Sequence, residues 1–233
     1  MALYNAQAYV SAAIDSILAQ TLPAVEIVVV DDESTDRSAD LVAAYGPPVR
    51  LLRQAHAGPA SALNRGIEET SGDAIAFLDA DDLWAQDKLA LQVELLAARP
   101  DVDAVFGLVQ QFGDAGAAGR FRIPREPQRG ISRIGVLVRR AAFDRLGPFD
   151  ATLRAVEFVE WYARAAALGL RTEMIDRVVA YRRIHAGNSG IVRRNEQQQE
   201  NLLGLKRGLD LRRRQRASES LALPEPGRRT SKD

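Results

Sequence analysis

The chain switches repeatedly between two hydrophobic periods. Residues 25–30 form a short apolar run rich in β-branched side chains, as a strand buried on both faces should. Residues 49–53, 74–78 and 102–112 read as further strands. Segments with helical spacing lie between them. One covers 6–20, with Tyr9, Ala12, Ala13, Ile17 and Leu18 on its apolar side and Asn5 as its cap. A second starts at Ser34 and Asp36 and reaches Tyr45, where Gly46-Pro47-Pro48 stops it. A third opens at Gly58-Pro59, with proline at the tolerated first turn, and runs to about Thr70 before Gly72. A fourth covers 86–98 and breaks before Pro100.

Residues 113–131 are rich in Gly, Arg and Pro and read as a long loop, a feature that compact domains usually reserve for function. Beyond it, 134–138 reads as a strand and 141–146 as a short helix ended by Gly147-Pro148. Residues 155–168 read as a helix closed by Gly169, and 171–175 and 178–184 as strands. A charged helix is expected over 193–215 and a disordered end over 218–233. Strand–helix alternation with short links predicts an α/β fold with a mostly parallel central sheet covered on both faces. Such sheets bind ligands beyond the carboxyl ends of their strands. Two acidic clusters sit at such ends, Asp31-Asp32 and Asp79–Asp82.

Composition narrows the classes. With 233 residues, 46% of them hydrophobic, and equal numbers of basic and acidic side chains, the chain can bury one substantial core and is not disordered as a whole. The absence of cysteine excludes disulfide scaffolds, thiolate metal sites and thiol nucleophiles. No apolar run approaches the roughly 18 residues of a membrane span, and no secretory signal is visible, so a cytoplasmic protein is expected. Charge is uneven: residues 193–233 carry 11 basic and 6 acidic side chains. This basic helix and tail fit peripheral contact with the inner face of a membrane or a plain solvated helix; no nucleic-acid partner is expected.

Three carboxylates in four residues, Asp79, Asp81 and Asp82, repel one another and have no counter-charge beside them in sequence. A divalent cation, Mg²⁺ or Mn²⁺, holding phosphate oxygens answers that need. Capping of the helix that follows is the competing reading for one of them, Asp82 above all. Asp31-Asp32-Glu33-Ser34-Thr35-Asp36 is a second acidic turn, whose carboxylates can accept from a ribose or a base while Ser34 caps the next helix.

The motifs taken together resemble family 2 glycosyltransferases. They are Tyr4-Asn5, Ser16-Ile17-Leu18-Ala19-Gln20-Thr21, Val28-Val29-Val30-Asp31-Asp32-Glu33-Ser34-Thr35-Asp36, Gly58-Pro59-Ala60-Ser61-Ala62-Leu63-Asn64-Arg65-Gly66-Ile67 and Ala76-Phe77-Leu78-Asp79-Ala80-Asp81-Asp82-Leu83-Trp84. The similarity is dense over 3–111 and looser through Arg139-Arg140, Gly147-Pro148-Phe149-Asp150 and Tyr181-Arg182-Arg183-Ile184-His185. The resemblance implies a GT-A fold, a Rossmann-like three-layer α/β/α sandwich, and inverting transfer from a nucleotide-activated sugar, commonly a uridine diphosphate sugar, to an acceptor that no motif identifies. It assigns 1–111 to nucleotide-sugar binding and 112–192 to the acceptor, with 193–233 as the basic helix and tail. It places Tyr4, Asp32, Asn64 and Asp79 on the nucleotide-sugar and Asp81 on the metal. His185 falls where relatives place a late metal or phosphate contact.

The chain departs from the family twice. After Phe149-Asp150-Ala151-Thr152-Leu153, relatives carry an acidic pair whose Asp is the usual base, and here that position is Phe158 in Glu157-Phe158-Val159-Glu160-Trp161. Glu157 and Glu160 are the candidate bases. A protein that binds a nucleotide-sugar or a partner without catalysis is the alternative. Glu160 also has a structural reading, as partner of Arg164 at i+4, and Trp161 and Tyr162 read as core or acceptor platform. Second, only Met1-Ala2-Leu3 precede Tyr4-Asn5, so the family's first strand is expected truncated or absent, with the natural start upstream as the simpler account.

Overall fold

The structure, a computed structural model, describes residues 1–113, 121, 123–153 and 156–188. The helix expected over 193–215, the tail and part of the 113–131 loop lie outside them. The strands are β1 (Ala2–Leu3), β2 (Ile27–Asp31), β3 (Val49–Arg53), β4 (Ala74–Ala76), β5 (Leu83–Trp84), β6 (Ala104–Gly113), β7 (Val136–Arg139) and β8 (Thr172–Ile184). The helices are α1 (Val10–Leu18), α2 (Ser38–Ala43), α3 (Pro59–Glu68), α4 (Lys88–Ala98), α5 (Arg140–Leu146) and α6 (Glu157–Ala167), with a 3-10 turn at Arg133–Gly135.

β1, β2 and β3 pair in parallel in that order, and β4, β7, β6, β8 and β5 form a second sheet. Within the second sheet the long β6–β8 ladder is parallel, while β4–β7, β6–β7 and β5–β8 are antiparallel. β2 is buried along its whole length, as its unbroken apolar run requires. β1 matches only the last rungs of β2, Ala2 opposite Val30 and Leu3 opposite Asp31. Below it, between the starts of β2 and β4, lies an apolar cavity of about 410 Å³ lined by residues such as Met1, Ile27, Val28, Ile67, Ile75 and Leu78.

Several boundaries move for identifiable reasons. α1 begins at Val10, not residue 6, and buries Val10, Ala13, Ile14 and Ile17, an i, i+3, i+4, i+7 stripe; Ala12 and Leu18 face outward. Asn5 is not its cap. Asn5 sits at φ +47° and its Oδ1 accepts from Thr35 N at 2.8 Å and Asp36 N at 3.4 Å, tying the first turn to the second acidic loop. Ser34 likewise accepts from Asn5 N, and α2 starts later, at Ser38, whose N–H is taken by Asp36 Oδ1 at 2.9 Å. The two strands expected over 171–184 are one strand, irregular opposite β6 between Phe106 and Val109. β5 was not foreseen, because two residues carry no period.

Candidate active site

Both acidic clusters lie at the carboxyl ends of parallel or edge strands, as the topology requires. Asp32, just past β2, is buried and heavily bonded. Its Oδ1 accepts from Gln54 Nε2 at 2.8 Å and Ala57 N at 2.9 Å, and its Oδ2 from Gly58 N at 2.8 Å. His56 Nδ1 stands 3.0 Å from Oδ2. Burial pushes this carboxyl's pKa up, but the Ala57 N–H, the Gln54 amide, the Gly58 N–H and His56 together pull it below its ordinary value. The carboxylate therefore fixes the loop leading into α3. Beside it, Tyr4 is 52% exposed and its ring meets that of His56 at 4.7 Å, an apolar face open to a planar ligand.

Asp79, Asp81 and Asp82 follow β4. One carboxylate oxygen from each lies within 4.8 Å of the others. Their partners differ. Asp79 Oδ1 accepts from Arg133 Nε at 3.0 Å and Nη2 at 2.5 Å. Asp81 Oδ2 is 3.0 Å from His185 Nε2 and 3.3 Å from Asn188 Nδ2. Asp82 is buried and accepts from Arg183 N at 2.7 Å, so it pins β8 and is not the cap of α4. Burial first, and then the neighbouring Asp79 and Asp81 carboxylates, push the Asp82 carboxyl well above the usual range, against the pull of the Arg183 N–H. The three carboxyls thus stand close enough to disfavour one another's charge. Hard oxygen donors in that condition fit Mg²⁺ or Mn²⁺.

His185 Nδ1 accepts from Gly187 N at 3.2 Å, which assigns the ring proton to Nε2, facing Asp81. The imidazole lies 4.7 Å from the Tyr9 ring, and the Arg183 guanidinium stacks on Tyr9 and Phe112.

Glu157, the first residue of α6, ion-pairs with Nη1 of the same Arg133 that holds Asp79. One guanidinium therefore spans the acidic cluster and the head of α6. Glu160 is elsewhere: its Oε1 lies 3.4 Å from Arg164 Nε, the i+4 pair anticipated from spacing, and its Oε2 has no hydrogen-bond partner among the described residues. Phe158 packs among Phe106, Phe149 and Trp161, with ring centroids 5.9–6.4 Å apart. Trp161 is fully buried and donates to Gly147 O at 2.9 Å, so it belongs to the core. Both ends of the Asn64 amide are taken by the Phe149 main chain at 2.9 Å, which fastens α3 to the chain before α6.

With this geometry in view, the comparisons are decisive. Residues 1–157 match the family model described as Glycosyl transferase family 2. The chain belongs to that family. An uncharacterized glycosyltransferase of Nostoc sp. is 43% identical over 96 residues, 40% of this chain and 30% of the relative. The UDP-Glc:alpha-D-GlcNAc-diphosphoundecaprenol beta-1,3-glucosyltransferase WfgD of Escherichia coli is 33% identical over 128 residues, 54% of this chain and 50% of the relative. The chain thus spans half or less of the length of these relatives. Among solved structures, Staphylococcus aureus TarS 1–349 in complex with UDP-GlcNAc gives a TM-score of 0.65 at 20% identity, over 80% of this chain and 58% of that one. A mannosyltransferase of Pyrobaculum calidifontis in complex with GDP-Man and Mn²⁺ gives 0.63 at 20%, over 97% and 75%. These likenesses give the GT-A fold.

Two site residues of this family member escaped the sequence reading. Arg133 follows a loop with no period, and nothing local marks one arginine among 28. His56 was passed over because it stands alone in a turn; its nearness to Asp32 comes from the β2–β3 pairing, with Gln54 N bonded to Asp31 O at 2.9 Å.

Proposed function

We propose that this protein is a metal-assisted inverting glycosyltransferase that takes its sugar from a nucleoside diphosphate donor, a UDP-sugar in the first instance. The observation that carries the reading is the convergence of Asp79, Asp81 and Asp82 within 4.8 Å, joined through Arg133 to Glu157. Family membership and the nucleotide-sugars held by the neighbours TarS and the Pyrobaculum mannosyltransferase support it.

In this reading Tyr4 and His56 frame the nucleobase and Asp32 shapes their loop. Asp81 would hold the cation, with Asp79 and Asp82 as the nearby carboxylates; His185, expected on the metal, has both ring nitrogens engaged and orients the Asp81 carboxylate. When bound, the cation neutralises charge that develops on the diphosphate as it leaves. Asp79 faces the sugar and Arg133 keeps it in place. Glu157 is the base: Oε1 is held by Arg133 and the other oxygen takes the proton of the acceptor hydroxyl as that hydroxyl attacks the anomeric carbon from the face opposite the leaving group. Glu160 is tied to Arg164 and serves α6. The acceptor half is 112–192, and the acceptor itself stays unidentified; contact of the basic segment 193–233 with a membrane surface belongs to the same proposal.

The test is donor turnover, read as nucleotide release from a panel of UDP- and GDP-sugars with Mn²⁺. Asp81→Ala is expected to lower it at least about a hundredfold, on the scale of lost electrostatic stabilisation. Turnover that persists in Asp81→Ala and in excess chelator contradicts the reading. A second reading, nucleotide-sugar binding without transfer, is favoured by one observation, the burial of Phe158 where relatives place the base. Donor binding by a protein that releases no nucleotide with any acceptor tested selects it.

A further inference from the structure

Two interior side chains take no part in the chemistry above. Lys88 and Gln92, one turn apart on α4, are both 0% exposed. Lys88 Nζ donates to Gln92 Oε1 at 2.5 Å and to Val136 O at 3.1 Å, and lies 5.1 Å from the Trp84 ring centroid. Gln92 Nε2 donates to Gly135 O and to Val105 O, each at 2.9 Å. Among the described residues no carboxylate pairs with Lys88, and burial alone lowers its ammonium to about 7. Such groups cost several kcal/mol to bury unless each polar atom is matched, and apolar side chains could fill the same volume without that demand.

What the pair grips is informative. Gly135 and Val136 are consecutive, the end of the 3-10 turn and the start of β7. Arg133 opens that turn two residues earlier and reaches Asp79 and Glu157. A single turn of three residues has little stiffness of its own. This one is closed by Gly135 N to Ser132 O at 3.1 Å, so its placement depends on what holds its carbonyls. It is also pressed against β6: a Cβ on Gly135 would lie 3.2 Å from Val109 Cγ2 and 3.3 Å from Gly107 O.

We propose that Lys88 and Gln92 are positioning residues. They clamp the Gly135 and Val136 carbonyls and thereby aim the Arg133 guanidinium at Asp79 and Glu157. The functional consequence rests on the donor-site reading above; the geometric consequence does not.

The first measurement is hydrogen exchange of the Arg133 Nε–H in ¹H–¹⁵N spectra, the signal being assigned by its loss in Arg133→Lys. Nε donates to Asp79 at 3.0 Å, so the wild-type signal is expected protected. Lys88→Met keeps an unbranched side chain, one atom shorter, and removes both donated bonds. It is expected to speed that exchange about tenfold or more while the circular dichroism stays native. The second measurement is donor affinity, probed with UDP-GlcNAc or GDP-mannose in Mn²⁺, whichever stabilises the wild type more. Lys88→Met is expected to weaken it about fivefold, and to change it less than about twofold in an Arg133→Ala background, because the route through Arg133 is then gone. A purely structural lysine gives equal losses in both backgrounds and a protected Arg133 signal, and either result overturns the proposal. Should Lys88→Met not fold, Gln92→Leu, which releases Gly135 O while leaving Lys88 in place, is read the same way. If the wild type binds neither donor, the donor-site reading fails, and the exchange measurement still decides the clamp.

Discussion

Asp32 and Glu157 differ at single-residue scale: one carboxylate is bonded into its own loop, and the other is the proposed base. Asp32 spends its oxygens on Gln54, Ala57 and Gly58. Its native pKa lies below its unfolded value, so its contribution to stability is complete above the unfolded carboxylate value of about 3.9 and disappears as pH falls through the native value. Asp32→Asn is expected to cost about 1–3 kcal/mol at pH 7, because an amide nitrogen now faces donors, and progressively less below pH of about 4. Urea unfolding of both proteins across that range checks it; a penalty that grows toward acid pH contradicts the bonding described. Glu157 gives a different signature. Glu157→Gln keeps the shape and removes the proposed base, so kcat should fall about 10²–10⁴-fold with the donor KM within about threefold. The same split in Glu160→Gln, with Glu157→Gln unaffected, moves the base one turn along α6.

At the scale of elements, α6 and the β6–β8 ladder position the side chains of the site. α6 is anchored by Trp161 and Phe158 in the aromatic core and by Arg164, whose Nη1 and Nη2 donate to Leu146 O and Pro148 O. That anchorage fixes the head of α6, where the buried Glu157 meets Arg133. The β6–β8 register shifts at Gly107, where a Cβ would be 2.4 Å and 2.6 Å from the two methyls of Val179. Gly107→Ala is expected to destabilise by about 1–3 kcal/mol through overpacking, read as a lowered Tm with metal-dependent nucleotide binding kept at temperatures where the variant is folded. A neutral Tm contradicts the close approach. These elements also show what hydrophobic pattern conveys. The buried run of β2 and the Gly58-Pro59 start of α3 were legible because period and punctuation are local. β5 and the start of α2 were not, since short elements are set by partners, here Tyr181 opposite Leu83 and Asp36 beneath Ser38. The caps assigned to Asn5 and Asp82 failed for the same reason: each side chain found a bond across the fold, to the Thr35 and Arg183 main chain.

Over the whole molecule, the site gathers residues from positions 4 to 188. The sequence exposed its two acidic turns because both follow apolar strands, and strand ends are where open sheets bind ligands. It could not expose Arg133, His56 or the direct bond between Asp81 and His185, whose separation is bridged only once β5 lies against β8. It also left the base open between two glutamates, and the contacts that separate them, Arg133 for Glu157 and Arg164 for Glu160, are tertiary. In the proposed function, the carboxylates that follow β4 hold a cation-bridged diphosphate. Calorimetric titration of the wild-type protein with UDP tests it most directly, once with Mn²⁺ and once with excess chelator. Binding at micromolar Kd with Mn²⁺ that weakens at least about tenfold in chelator is the predicted result, a difference of about 1.4 kcal/mol. Equal affinity in both conditions, or no binding of UDP or GDP in either, contradicts it.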